Sequence, residues 1–108
     1  MPGSHDGLLP TLDRANARRA ELYEERAMII TEIMVGRMSI LDALYEPAMK
    51  RMRAFTFLTK MPRIGQKTAR DILREVNVGE AQRISTTGAR QRERMAQLAT
   101  EARPRGRR

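Results

Sequence analysis

Arg63, Lys67 and Arg70 surround a Pro62-Arg63-Ile64-Gly65 turn, and this grouping carries the most legible chemistry in the chain. Pro62 stops a preceding helix, and Gly65 permits a tight turn with close backbone approach. Ala69, Ile72, Leu73 and Val76 then form the buried stripe of a new helix. A helix that starts there aims unpaired N–H groups and the positive end of its dipole at solvent. Backbone donors can then hold a phosphate oxygen, while Arg63, Gln66, Lys67 and Arg70 add side-chain donors and charge. Ile64 sits in the turn, where it either anchors the turn in the core or presents an apolar contact to a minor groove. The chemistry is anion binding.

A second group follows. Asn77-Val78-Gly79 reads as a helix stop, and Ala89 opens another amphipathic helix with Met95, Leu98, Ala99 and Ala102 on its apolar side. Thr87 is its expected N-cap. Arg83, Gly88, Arg90 and Arg92 gather around that start, with Arg94 on the face of Arg90, so a second anion-facing helix mouth is expected.

Charge supports a polyanionic partner. Lys and Arg number 21 against 13 Asp and Glu, giving +8 and a pI near 11.2 in 108 residues. Residues 1–60 hold nine basic and eight acidic side chains, whereas residues 61–108 hold twelve and five, so the positive field belongs to the C-terminal half. The chain has no Cys and one His, which leaves no disulfide framework, thiol nucleophile or zinc site. No Walker loop is present, and no apolar run reaches the ~18 residues of a membrane span. No metal, no cofactor and no catalysis are expected, and the chain reads as cytoplasmic.

The elements that must position these groups are helical. Residues 1–10, with two Pro, two Gly and His5, read as a flexible tail. Residues 11–36 read as a long helix with Thr11 as N-cap and Asp13 in the first turn. Its first part is rich in Arg and Glu, and Glu21, Glu24 and Glu25 read as a solvated face rather than a metal cluster. Leu22, Ile29, Ile30 and Ile33 mark the docked part. Residues 37–102 read as a compact unit of short helices: Ser39 caps one with Asp42 in its capping-box position, Pro47 ends or offsets it, and Met49, Met52, Phe55, Phe57 and Leu58 pack inward. β-Branched alternation never lasts long enough for a strand, so the class is all-α. Residues 103–108, with four Arg in six, read as a basic disordered tail.

From about Glu21 to Ala102 the chain resembles the actinobacterial, mycobacterial-type integration host factor, on Met61-Pro62-Arg63-Ile64-Gly65, Lys67, Ala69, Arg83-Ile84, Gly88 and Arg90-Gln91-Arg92. The resemblance implies a helix-two-turn-helix core like that of ribosomal S13. It also implies a monomeric, nucleoid-associated protein that grips double-stranded DNA with little base specificity, bends or compacts it, and assists a phage integrase in site-specific recombination. Gln66 stands where the family usually has Lys, Gln82 and Ser85 stand at neighbouring basic positions, and Thr86-Thr87 replaces Gly-Leu. Two other readings compete. One is an RNA-binding, ribosome-associated protein. The other is a helix-hairpin-helix accessory domain of a DNA repair enzyme, against which stands the lack of any carboxylate at the turn other than Asp71.

Overall fold

A computed structural model describes residues 10–102, with side chains from Arg14 onward. The expected tails, His5 included, lie outside the described residues, apart from Pro10. Helix α1 spans Pro10–Met34, α2 Ile40–Leu44, α3 Ala54–Thr59, α4 Gln66–Val76 and α5 Ala89–Ala102. Two 3-10 turns, Pro47–Met49 and Ile84–Thr86, complete the order, and no strand occurs among the described residues.

Helix α1 begins at Pro10, so Thr11 lies inside the helix and is not its N-cap. Proline suits a first helical position, because its φ is already helical and it has no N–H to leave unpaired. The helix stops at Gly36, whose φ of 82° is left-handed. The Gly36 N–H donates to the Ile33 carbonyl at 3.1 Å and the Arg37 N–H to the Glu32 carbonyl at 2.8 Å, a Schellman closure. Only the second half of α1 docks. Ile29 and Ile33 are buried, Leu22 and Ile30 are half-buried, and Arg14, Arg18 and Arg19 are exposed. Arg26 fastens the docked half by donating from Nε to the Ala48 carbonyl at 2.9 Å.

Ser39 caps α2, its Oγ accepting from the Asp42 N–H at 3.0 Å. Pro47 opens the following 3-10 turn. The core is aliphatic and methionine-rich, with Met49, Phe57, Leu58, Leu73, Ile84 and Met95 all fully buried. Phe55 is only half-buried. Helix α4 packs against α3 and α5, and α2 packs against α5. Ala69, Ile72, Leu73 and Val76 of α4 are all buried, as their spacing requires. On α5, Met95, Ala96 and Ala99 are buried, whereas Ala102, expected on the apolar side, is exposed at the last turn.

Two turns join α4 to α5. The first follows Asn77, which takes the left-handed conformation at φ 62° and lets the Val78 N–H donate to the Leu73 carbonyl at 2.9 Å. Gly79, nominally the more permissive residue, does not adopt it. Asparagine tolerates this region because its short polar side chain relieves the local penalty. The second is the 3-10 turn at Ile84–Thr86.

Gln91 bolts the join together. Its Oε1 accepts from the Gly88 N–H at 2.8 Å, while Nε2 donates to the Val76 and Asn77 carbonyls at 3.1 and 3.2 Å. Gln91→Ala is expected to lower stability by about 1–2 kcal/mol, since it strips partners from three backbone groups at once. Thermal unfolding checks this: a midpoint within 1 °C of the wild type would deny Gln91 that role.

Candidate nucleic-acid interface

The turn between α3 and α4 places the first group. The Met61 N–H donates to the Leu58 carbonyl at 3.0 Å and the Ile64 N–H to the Met61 carbonyl at 3.2 Å, so the chain folds back sharply after α3. The residue bearing the unusual conformation is Arg63, at φ 60°. Gly65, expected to supply that freedom, is extended at φ −84° and ψ −177°, as any residue could be. A β-carbon on Gly65 would meet nothing within 4 Å. Glycine at this position therefore leaves open space directly before α4 and meets no packing need of the fold.

Ile64 is buried at 3% exposure, so the structure corrects its assignment as a groove contact: the reversal of the chain at Arg63 turns it into the core. Gly65 is the N-cap of α4 and brings no side-chain acceptor to the first-turn N–H groups. Gln66 and Lys67 are exposed on that turn. Arg63 is exposed with no side-chain partner among the described residues.

The other cations of α4 are already engaged. Lys67 Nζ lies 3.3 Å from Asp71 Oδ2, and Arg74 Nη1 lies 3.4 Å from Asp71 Oδ1. Arg70 Nε lies 3.1 Å from Glu80 Oε2, with its guanidinium 5.2 Å above the Phe55 ring. All three pairs are solvent-accessible, so they exchange readily for a competing anion.

The second group divides. Thr87 does not cap α5: it is buried, its hydroxyl donating to the Ile84 carbonyl at 2.6 Å. Gly88 is the N-cap instead, its carbonyl accepting from the Arg92 N–H at 3.0 Å while Gln91 reaches back to its N–H, half of a capping box. Arg92 is likewise corrected from a phosphate contact to a structural tie. Its Nε donates to Thr87 Oγ1 at 2.9 Å and Nη2 to the Ile84 carbonyl at 3.1 Å, and its guanidinium lies 4.7 Å from the Tyr45 ring centre. The Ile84 carbonyl thus gathers the Thr87 N–H, the Thr87 hydroxyl and the Arg92 guanidinium. Arg90 remains exposed, with no side-chain partner among the described residues.

Arg83 keeps an outward position in new company. An isolated antiparallel bridge pairs Arg53 with Arg83, held by Ala54 N–H to the Gln82 carbonyl, Ile84 N–H to the Met52 carbonyl and Ser85 N–H to the Lys50 carbonyl, at 2.9, 2.9 and 3.0 Å. Lys50, Arg51, Arg53 and Arg83 are all exposed there, and none has a carboxylate partner among the described residues. The Arg83 guanidinium donates to the Arg51 carbonyl, which draws the two segments together without reducing their charge. Four cations without carboxylate partners at one bridge concentrate positive charge there.

Residue order alone hides Lys50, Arg51 and Arg53, which read as polar positions between core Met and Phe side chains. The one signal available is the Arg51-Met52-Arg53 alternation, which places both arginines on the face opposite the buried methionine. Among the described residues no helix is long and apolar enough to cross a membrane.

A family model described as the S13-like H2TH domain matches residues 38–98, more than half of the chain. The match covers the α3–α4 turn, the bridge and the two-turn join, and leaves α1 outside. Neither the curated proteins nor the solved structures include a match. With the basic turn, the two-turn join and the family match agreeing, the chain belongs to the S13-like H2TH domain family, a helix-two-turn-helix fold of nucleic-acid-binding proteins.

Proposed function

We propose that the protein is a non-enzymatic, duplex-DNA-binding architectural protein that grips the phosphate backbone with little base specificity. The observation that carries this reading is the start of α4: uncapped first-turn N–H groups, an open face at Gly65 and the unpaired Arg63 beside it. Such an arrangement accepts a phosphate oxygen on backbone donors, which fixes position without reading sequence. The bridge cations supply a second hold on the backbone. A small protein that bends or bridges a duplex needs two holds to recover the ~1–6 kcal/mol of elastic cost.

Duplex is favoured over single strand because the aromatic rings beside the cations of α4 and α5 are covered. Phe55 lies under Arg70 and Tyr45 under Arg92, so neither offers its face as a stacking platform for a splayed base. Asp71 and Glu80, the carboxylates beside these cations, are paired with them, which supports a binding role. The resemblance to the actinobacterial integration host factor supports the finer reading: a monomer of the cytoplasmic nucleoid that bends or compacts DNA and serves a phage integrase during recombination.

Gly65→Ala tests this reading. Stability should change by less than about 1 kcal/mol, because the added methyl meets only open space and the backbone there suits alanine. Duplex affinity should fall about tenfold, because the methyl intrudes where the phosphate must approach the first turn. Fluorescence anisotropy on a labelled duplex DNA, a single strand and a double-stranded RNA measures the effect. A variant that binds the DNA duplex as the wild type does would overturn the phosphate-at-α4 reading. Tighter binding of the wild type to double-stranded RNA would move the protein to the ribosomal side of its family.

A further inference from the structure

Lys67 is oddly placed for helix stability. It occupies the first turn of α4, which holds no acidic residue, at the positive end of the helix dipole. Its partner is Asp71, one turn further on. The lysine precedes the acid, which is the less favourable order for a pair four residues apart. The same carboxylate also engages Arg74 through its other oxygen. One acid thus serves two cations, Lys67 in the first turn of α4 and Arg74 in its last. The side chains are open to water, 91% exposed for Lys67, 77% for Arg74 and 49% for Asp71, so the arrangement adds little to the fold.

We propose that Asp71 is the affinity-setting residue of the α4 site, an internal anion that holds Lys67 and Arg74 until a nucleic-acid phosphate displaces it. This rests on the reading of α4 as a phosphate site and names what regulates it. Binding exchanges a carboxylate for a phosphate at Lys67, after which Asp71 remains as a fixed negative charge beside the bound backbone. It weakens binding twice, by competing for the cation beforehand and by repelling the phosphate afterwards. Asp71 contacts cations rather than ligand, so its role is positioning and restraint.

The test uses the full chain and a labelled duplex DNA in fluorescence anisotropy from 50 to 200 mM salt. Asp71→Asn is expected to tighten binding about five- to tenfold at 50 mM salt, with a smaller gain at 200 mM, where salt screens the remaining carboxylate. Glu75→Gln, on the same helix, makes the same change of charge, but Glu75 pairs with Arg94 at 3.7 Å, away from the α4 start. It should tighten binding less than twofold. Asp71→Glu keeps the charge and should bind as the wild type does, and the thermal midpoints of all three variants should stay within a few degrees.

Equal gains from Asp71→Asn and Glu75→Gln would reduce the effect to net charge and overturn the inference. So would an unchanged affinity for Asp71→Asn in a protein that binds the duplex. A wild-type protein with no affinity for duplex DNA would overturn the reading of the site itself, and the inference with it.

Discussion

Truncating Arg92 to alanine is expected to lower the unfolding free energy by about 2–3 kcal/mol. The half-buried guanidinium makes two charge-assisted hydrogen bonds, to Thr87 Oγ1 and the Ile84 carbonyl, and covers the Tyr45 ring. It therefore ties α5 to the 3-10 turn and to the end of α2. In a domain of this size the loss corresponds to a fall of roughly 10 °C or more in Tm. Lysine should not rescue it, because an ammonium lacks both the planar face and the fork that reaches two acceptors. The salt dependence of duplex binding should be unchanged in Arg92→Ala at a temperature where the variant is folded. A normal Tm with a slope shallower by about 0.9 would mean that Arg92 faces phosphate after all.

The second large effect concerns the bridge. Replacing Lys50, Arg51 and Arg53 together by alanine should flatten the slope of log K against log salt by about 2.7 if each meets one phosphate. Between 50 and 200 mM salt that is about a forty-fold change in salt sensitivity. The backbone bonds of the bridge do not involve these side chains, so the fold should persist. Binding of one duplex through α4 should survive, whereas bending of that duplex, read as end-to-end shortening by energy transfer, should be lost. If the triple variant bends DNA like the wild type, the second hold lies elsewhere, and the outward Arg90 becomes the next residue to test.

The stripe of α4, the cap at Ser39 and the methionine-rich core were legible in the sequence because each depends on neighbours within one turn of helix. The errors share a cause of the opposite kind. Arg92 and Arg90 look alike in the chain, yet one reaches inward to the Thr87 hydroxyl and to a carbonyl eight residues away. Gly65 and Arg63 exchange their expected conformations because the burial of Ile64 decides where the chain must reverse. The bridge cluster was invisible for a plainer reason: Arg53 and Arg83 meet only after α3 and α4 have folded between them. Local pattern identifies which residues are basic, and tertiary closure decides which of them remain available.

The free half of α1 has a mechanical consequence. From Arg14 to Ala20 the helix buries almost nothing, so its turns rest on intrinsic propensity and on continuity with the docked half. Since the anchored turns supply the costly nucleus, the arm can zip and unzip from its outer end, one residue at a time, without disturbing the body. With Arg14, Arg18 and Arg19 along it, α1 amounts to a charged probe of adjustable length, whose reach is set by temperature and by whatever surface it meets.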